Sequence, residues 1–318
     1  MEEKEVKYKD EFGERIKSYE EQYDLRLKKK VPVLIRIDGK AFHTWTKGLQ
    51  KPFDAIFVTS MQLTLKDLCE NIEGCVFGYT QSDELTLVLA DYQRPETAAW
   101  FGYRVQKMCS VAASMATKYF GKHFKELAME RYDEEYFRAC EEENIDQEND
   151  FVIIASSDAI DELPEELQDS ENKFVIMNDY ISLLLEKIEN LPCFDARCFN
   201  VPIEDVVNAI YWRQSDAIRN SIQACGQSVF SHKELQNKSC NQIKEMLANK
   251  GESWEDLPDF LQRGTACRKV ERTEVTKTEE GFPNIIIHKD WELDFEMPVL
   301  LGANRKYVED LIIFKEEN

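Results

Sequence analysis

Apolar positions change their spacing along this chain. In "VPVLIRIDGK" Val33, Leu34, Ile35 and Ile37 form a nearly unbroken apolar run, which predicts a buried strand over 33–37 that stops at Asp38-Gly39. In "KPFDAIFVTSMQLTLKDLCEN" Phe57, Met61, Leu65 and Leu68 recur at three- and four-residue steps, the period of a helix with one buried face. "CVFGY" and "LTLVLA" then read as two short strands joined through the polar "TQSDE", a hairpin. Pro95 is placed to open a long helix whose buried stripe would be Phe101, Val105, Met108, Ala112, Met115 and Tyr119. Strand, helix, two strands and helix in this order predict an α+β domain built on an antiparallel sheet.

Beyond about residue 122 the pattern is weaker. A strand over Phe151–Ala155 and a helix over 180–189 are expected inside an acidic stretch. "FDARCFNVP" reads as a further sheet strand ending at Pro202, followed by a helix over 204–226 with a polar stripe of Arg213, Asp216, Asn220, Gln223 and Gln227. Helical pieces at about 232–250 and 254–262 and a strand-rich tail from Thr265 to about His288 complete the chain. The expected organisation is a core over 1–121, an acidic insertion over 122–192, and completion of the core with a helical and strand-rich C-terminal region over 193–318.

The net charge of −21 argues against a generic nucleic-acid binder, but it is unevenly spread. Between Glu130 and Glu171 seventeen Asp or Glu face two Arg, so this stretch carries −15 and the remainder only −6. Local basic clusters (Arg26, Lys28, Lys29, Lys30; Lys233, Lys238, Lys244, Lys250) are solvated faces or RNA contacts. The acidic stretch would face away from any phosphate backbone. Nine cysteines with no CxxC spacing predict reduced thiols in a cytoplasmic protein. No apolar run is long enough for a transmembrane helix, and the charged N-terminus does not read as a signal peptide, so no membrane association is expected.

Two polar breaks carry the candidate chemistry. Asp38 ends the first strand, and Asp83 and Glu84 sit at the hairpin tip. Adjacent strand ends of an antiparallel sheet bring such carboxylates within reach, where they repel unless a cation lies between them. Magnesium suits a site of few carboxylates completed by substrate phosphates, and a pair of metals clamps the attacking and leaving oxygens of a phosphoryl transfer. Gly39 would let the backbone approach such a site closely. Two unrelated turn carboxylates are the alternative.

The segments "RIDGKAFHTW", "KPFD" and "YTQSDELTLVL", followed in order by "FDARCFNVP", "YWRQSDAIRNSIQ", "FSHKEL" and "LQRGTA", resemble the tRNA-His guanylyltransferase superfamily, enzymes that add nucleotides in the 3′-to-5′ direction. The resemblance covers about 31–120 and 194–270. It implies a polymerase-like palm domain, an antiparallel sheet with helices on one face, and an Mg²⁺-dependent nucleotidyltransferase with ATP and GTP as substrates and a tRNA as partner. It also implies a homodimer or homotetramer. Asp38 and Asp83 would be the catalytic, metal-binding carboxylates for two Mg²⁺ ions, with the Gly39 carbonyl as a further ligand. Asp38, Gly39, Lys40, Ala41, Phe42 and His43 would wrap the triphosphate, with His43 a phosphate donor or a structural hydrogen bonder. Ser82 and Lys51 would contact phosphate, Arg213 and Asn220 would turn toward the nucleotide or the RNA 5′-end, and Glu84 would support Asp83.

One departure matters. Eukaryotic members carry HINN where this chain has "IRNS" (Ile218–Ser221), so the histidine is replaced by Ile218 while Asn220 is kept. This resembles bacterial and phage members and implies templated repair of truncated tRNA 5′-ends, with GTP often the added nucleotide. Addition restricted to tRNA-His is the alternative within the family. A nucleotide cyclase would share the two carboxylates but leave residues 204–262 without a role, and a non-catalytic nucleotide- or RNA-binding palm would not need both Asp38 and Asp83.

Overall fold

The computed structural model describes residues 11–93, 97–143, 151–155, 173–277 and 283–313. Its centre is β1 (Val33–Gly39), whose Val33, Leu34, Ile35 and Ile37 are buried on both faces, as the unbroken apolar run requires. β1 pairs antiparallel with β3 (Glu84–Leu89) on one side and with β6 (Phe194–Asn200) on the other. β3 continues to β2 (Cys75–Gln81), then to the long ribbon of β7 (Thr265–Lys277) and β8 (Pro283–Asp294), giving the order β6-β1-β3-β2-β7-β8 with antiparallel neighbours throughout. The α+β antiparallel architecture expected from the sequence is the one observed. Strands β4 (Phe151–Ala155) and β5 (Lys173–Met177) form a separate parallel pair.

Helices occupy both faces of the sheet and not the one face that the resemblance implies, because Leu34, Phe77, Tyr79 and Val88 give the second face an apolar surface that also needs cover. Before β1 lies α1 (Glu11–Glu21), which buries no residue, and after it comes the single turn α2 (Phe42–Trp45). On one face α3 (Ala55–Asn71), α4 (Val105–Glu143) and α5 (Asp179–Glu189) pack Met61, Leu65, Leu68, Phe120, Phe124, Ile181 and Leu184 against Ile35, Ile37 and Leu87. On the other face α6 (Ile203–Val229) sets Val206, Val207 and Ile210 against Leu34, Phe77, Tyr79 and Val88. This second face is only partly covered: Asp195, Arg197 and Phe199 of β6 stay exposed. The far half of α6 forms a third cluster, in which Ile222 and Cys225 meet Ile243, Leu247 and Trp254.

The long helix differs from expectation at both ends. It begins at Val105, after a 3-10 turn (Trp100–Tyr103) in which Phe101, Gly102 and Tyr103 have positive φ. The cause is tertiary. The Leu27 amide donates to the Tyr103 carbonyl and the Val105 amide to the Leu25 carbonyl, so residues 100–105 pair with the segment before β1 instead of joining the helix. Pro95 lies outside the described residues. At its other end α4 runs on to Glu143, so a division between residues 121 and 122 would cut it, and Phe124 and Ala128 belong to the same core as Phe120. Much of the acidic stretch, 144–150 and 156–172, lies outside the described residues.

α3 rests directly on β2 at Gly78, where an added Cβ would stand 2.3 Å from Cys69 Sγ and 2.9 Å from Leu65 Cδ1. Gly78→Ala should therefore overpack this contact and destabilise by about 1–3 kcal/mol, seen as a lower melting temperature. Cys69→Ala in the same chain should recover most of the loss. An unchanged melt for Gly78→Ala would show that the helix can shift freely.

Candidate active site

Asp38 is the last side chain but one of β1, and across the ladder its register partner is Glu84, the first residue of β3. The two-residue turn Ser82-Asp83 joins β2 to β3, with Ser82 left-handed at φ 49. The Gly39 amide donates to the Asp83 carbonyl at 3.1 Å, which locks the strand end to the hairpin tip. Asp38 and Asp83 thereby line one cavity of about 270 Å³, together with Gly39, Ala41, Phe42, His43, Thr46, Phe57 and Ser82.

The loop after Gly39 is anchored from below. The Phe42 ring is 3% exposed and sits among Trp45, Phe57, Phe120 and Phe194, with ring centroids 5.1–5.9 Å away. It also presses on Gly39, where a Cβ would lie 2.1 Å from Phe42 Cδ2, so only glycine fits. Ala41 takes the left-handed conformation at φ 57, and the Lys40 amide donates to the Cys193 carbonyl at 2.9 Å. Both left-handed residues, Ala41 and Ser82, line the cavity, which is where non-glycine strain tends to be retained for function.

Burial raises the Asp83 carboxyl above its ordinary value and the nearby Asp38 charge adds to this, while a backbone amide, the Ser82 hydroxyl (3.0 Å to Oδ1) and His43 oppose it. Among the described residues neither Asp38 nor Asp83 has an ion pair with a Lys or Arg. Their carboxylate oxygens, in a cavity that Gly39 also lines, could serve as an all-oxygen donor set of the kind that suits Mg²⁺, too small to enclose it and leaving positions for water and phosphate. No cluster of three or more His, Cys, Asp or Glu among the described residues is arranged to hold a metal.

Behind the two aspartates lies a buried ionic layer. Arg213 of α6 donates to Glu84 Oε2 at 2.8 Å and also pairs with Asp216, while Arg36 Nε approaches Glu84 Oε1 at 3.9 Å. Burial raises the Glu84 carboxyl, and Arg213 and then Arg36 partly offset the rise.

A second cavity of about 280 Å³ adjoins the first and shares Thr46, Phe57 and Ser82 with it. Lys51, Phe53, Asp54, Met61, Gln62, Asn220, Phe260 and Thr265 are among its lining. The structure thus brings Asp38, Gly39, Ala41, Phe42, His43, Ser82 and Asp83 to one cavity, and Lys51, Ser82 and Asn220 to the next. Lys40 and Arg213 line neither, and Arg213 is committed to its two carboxylates. The sequence reading passed over Arg36, although a lone cation two residues before Asp38 in an apolar strand marks a shared sheet face. It also passed over Asp54, Gln62 and Phe260, which only the tertiary fold assembles.

The tRNAHis guanylyltransferase family model matches residues 13–202. An uncharacterized protein of Acanthamoeba polyphaga mimivirus is 23% identical over 299 residues, 89% of this chain and 88% of that protein. The tRNA(His) guanylyltransferase of Schizosaccharomyces pombe is 31% identical over 115 residues, 33% of this chain and 42% of that enzyme. A bacterial tRNA(His) guanylyltransferase-like protein solved with ATP superposes with a TM-score of 0.67 at 28% identity, covering 96% of this chain and 100% of the other; its counterpart with GTP gives 0.61 at 28% identity, covering 95% and 99%. With the family model spanning more than half of its length, this chain belongs to the tRNAHis guanylyltransferase family and is a nucleotidyltransferase.

Proposed function

We propose that this enzyme adds nucleotides to the 5′-end of a truncated tRNA in the 3′-to-5′ direction, with ATP activating the end and the opposite acceptor strand selecting the added nucleotide. The observation that carries this reading is the convergence of Asp38 and Asp83 on one polar cavity that opens into an aromatic-lined one. The 5′-monophosphate of the RNA attacks the α-phosphorus of ATP, pyrophosphate leaves, and a 5′-adenylylated end results. The 3′-hydroxyl of an incoming nucleoside triphosphate, often GTP, then attacks the activated 5′-phosphate and AMP leaves. Asp38, Asp83 and the Gly39 carbonyl would hold two Mg²⁺ ions, which would neutralise phosphate charge and lower the pKa of the attacking hydroxyl. Ser82 and His43 border the polar cavity as phosphate donors, and Lys51 reaches the triphosphate from the adjoining one. The protein's remaining work is positioning.

The second cavity supports ATP as the activating nucleotide. Its carboxylate, Asp54, accepts hydrogen bonds from the Phe57 amide (3.0 Å), the Gln50 amide (3.0 Å) and the Tyr180 hydroxyl (2.7 Å) and is 3% exposed. Both of its oxygens are engaged, so it offers no bidentate acceptor for the N1–H and N2–H₂ edge of guanine. The repair reading draws support from Ile218, which packs with the apolar cluster of Ile222, Phe53 and Trp254 and presents no hydrogen-bonding group to RNA. The exposed stripe Phe12, Ile16 and Tyr19 on α1 supports a homo-oligomer.

Incubation with Mg²⁺, labelled ATP and a 5′-monophosphorylated truncated tRNA should give an adenylylated end, and GTP should extend it. Asp38→Asn should slow extension at least roughly a hundredfold, because several kcal/mol of charge stabilisation are lost at 1.36 kcal/mol per decade. Undiminished turnover would remove the two-carboxylate mechanism. In a second comparison, extension of tRNAs that differ in anticodon and in the base opposite the vacancy should follow the opposing base. Dependence on the anticodon alone would leave addition restricted to tRNA-His as the better reading.

Asp83 also gives a stability test. Its folded-state pKa is raised, so the stabilisation it allows is complete below the unfolded value and is lost as pH rises through the folded one. At neutral pH the ionised carboxylate therefore burdens the metal-free fold. Asp83→Asn should raise the melting temperature at pH 7–8 without Mg²⁺, with a gain that shrinks toward acid pH, and it should abolish stabilisation by added Mg²⁺. A lower melting temperature for the metal-free variant at neutral pH would contradict this.

A further inference from the structure

On the partly covered sheet face, Trp212 of α6 is 53% exposed, although it is one of the largest side chains in the protein. It is not loose. The Arg213 guanidinium carbon lies 3.6 Å from the indole centroid, and Arg213 is itself held by Glu84 and Asp216. Arg36 approaches the same ring at 5.8 Å. The indole is thus fixed by a clamped cation while more than half of its surface stays open to solvent.

The surroundings point to what this surface accepts. Arg36 precedes Asp38 by two residues in β1, so both side chains leave the same face of the sheet. Among the described residues the Arg36 guanidinium makes no hydrogen bond, and its Nε is buried without a partner. Its one ion pair among the described residues is the 3.9 Å approach to Glu84 Oε1, an oxygen that has no hydrogen bond either. Across the ladder Arg197 lies beside Arg36, and Phe199, 41% exposed, lies beside Leu34 on this face. An open indole beside a partly exposed guanidinium, held only by a long approach to Glu84, matches a nucleotide, the base stacked on the ring and the phosphate on the open side of the arginine. Glu84 links the two places: it pairs with Arg213 beneath the indole and is the register partner of Asp38.

We propose that Trp212 and Arg36 form a nucleotide-stacking site on the open sheet face, separate from both cavities, that receives the nucleobase and phosphate of one of the two reactants of the extension step. The proposal rests on the nucleotide-adding function above. That base belongs either to the terminal nucleotide of the RNA or to the incoming nucleoside triphosphate. The Arg213–Glu84 pair beneath the ring connects this site to Asp38, the register partner of Glu84.

The test uses the full chain with Trp212→Ala, Trp212→Leu, Trp212→Phe and Arg36→Gln. One arm measures the dissociation constant of 5′-monophosphorylated truncated tRNA without nucleotide. The other measures the KM for GTP in extension of a pre-adenylylated tRNA. Loss of one stacked base should weaken one arm roughly five- to hundredfold for Trp212→Ala. Trp212→Leu should behave like Ala, because it keeps apolar cover over Arg213 but has no π-face, and Trp212→Phe should restore most of the loss. Arg36→Gln should weaken the same arm. Weakened RNA binding assigns the site to the RNA end, and a raised KM for GTP assigns it to the incoming nucleotide. The proposal is overturned if both arms are unchanged, or if Ala, Leu and Phe lose equally, which marks a packing role. If the wild-type protein extends no RNA, the function reading fails; if it does so and Trp212→Ala matches it in both arms, only the stacking site fails.

Discussion

The pairing of β1 with β3 determines where every candidate catalytic group stands. Val33, Ile35 and Ile37 face Leu89, Leu87 and Leu85, three apolar pairs on the helix-covered side of the sheet. A slip of one residue would turn this whole set toward the other face, so burial enforces the register. The same register sets Asp38 opposite Glu84 and lets the Gly39 amide reach the Asp83 carbonyl. Two carboxylates are brought together by apolar residues that never touch the cavity. The cost appears at Asp83, whose carboxyl is pushed up by burial and by its neighbour. Such a conflict is tolerated where a bound cation relieves it.

A second constraint holds the loop between these carboxylates and α3. Helix α5, at the end of the acidic stretch, grips it at several points. Lys187 donates to the Trp45 carbonyl, the Trp45 indole donates to the Asn190 carbonyl at 2.8 Å, and Tyr180 donates to Asp54. Leu183 fills the space above Gly48, where φ is +85 and a Cβ would stand 2.8 Å from Leu183 Cδ2. The acidic stretch therefore ends in a helix that braces the loop lining the candidate site, whatever the remainder of the stretch does. Burial lowers the Lys187 pKa, because desolvation disfavours the charged ammonium, while the nearby Glu186 and Asp54 charges oppose the shift.

Much of this arrangement was legible in the sequence. The unbroken run in β1 and the helical spacing in α3 gave the right elements, because both depend on how a residue's own neighbours are buried. The break at Asp38 and the tip at Asp83 stood out because each interrupts an apolar pattern with a carboxylate. The start of α4 was not legible: Phe101 falls on the helical spacing of Val105 and Met108, and pairing with the segment before β1 overrides that spacing. Phe42 shows a similar limit. It stands among the residues expected at the triphosphate, yet its ring is part of the core, so what it offers the cavity is mainly a fixed backbone. Trp212 was not legible as a site residue, since spacing alone places it on the outer side of α6 and does not reveal Arg213 stacked beneath it.

Whether Asp38 and Asp83 act together on a metal-bound triphosphate is tested most directly in crystals grown with Mn²⁺ in place of Mg²⁺ and a non-hydrolysable ATP analogue, because manganese scatters anomalously. Joint action predicts an anomalous peak in contact with oxygens of both Asp38 and Asp83 and with the triphosphate. A bound triphosphate whose metal touches neither carboxylate, or no metal between them at saturating Mn²⁺, would contradict it.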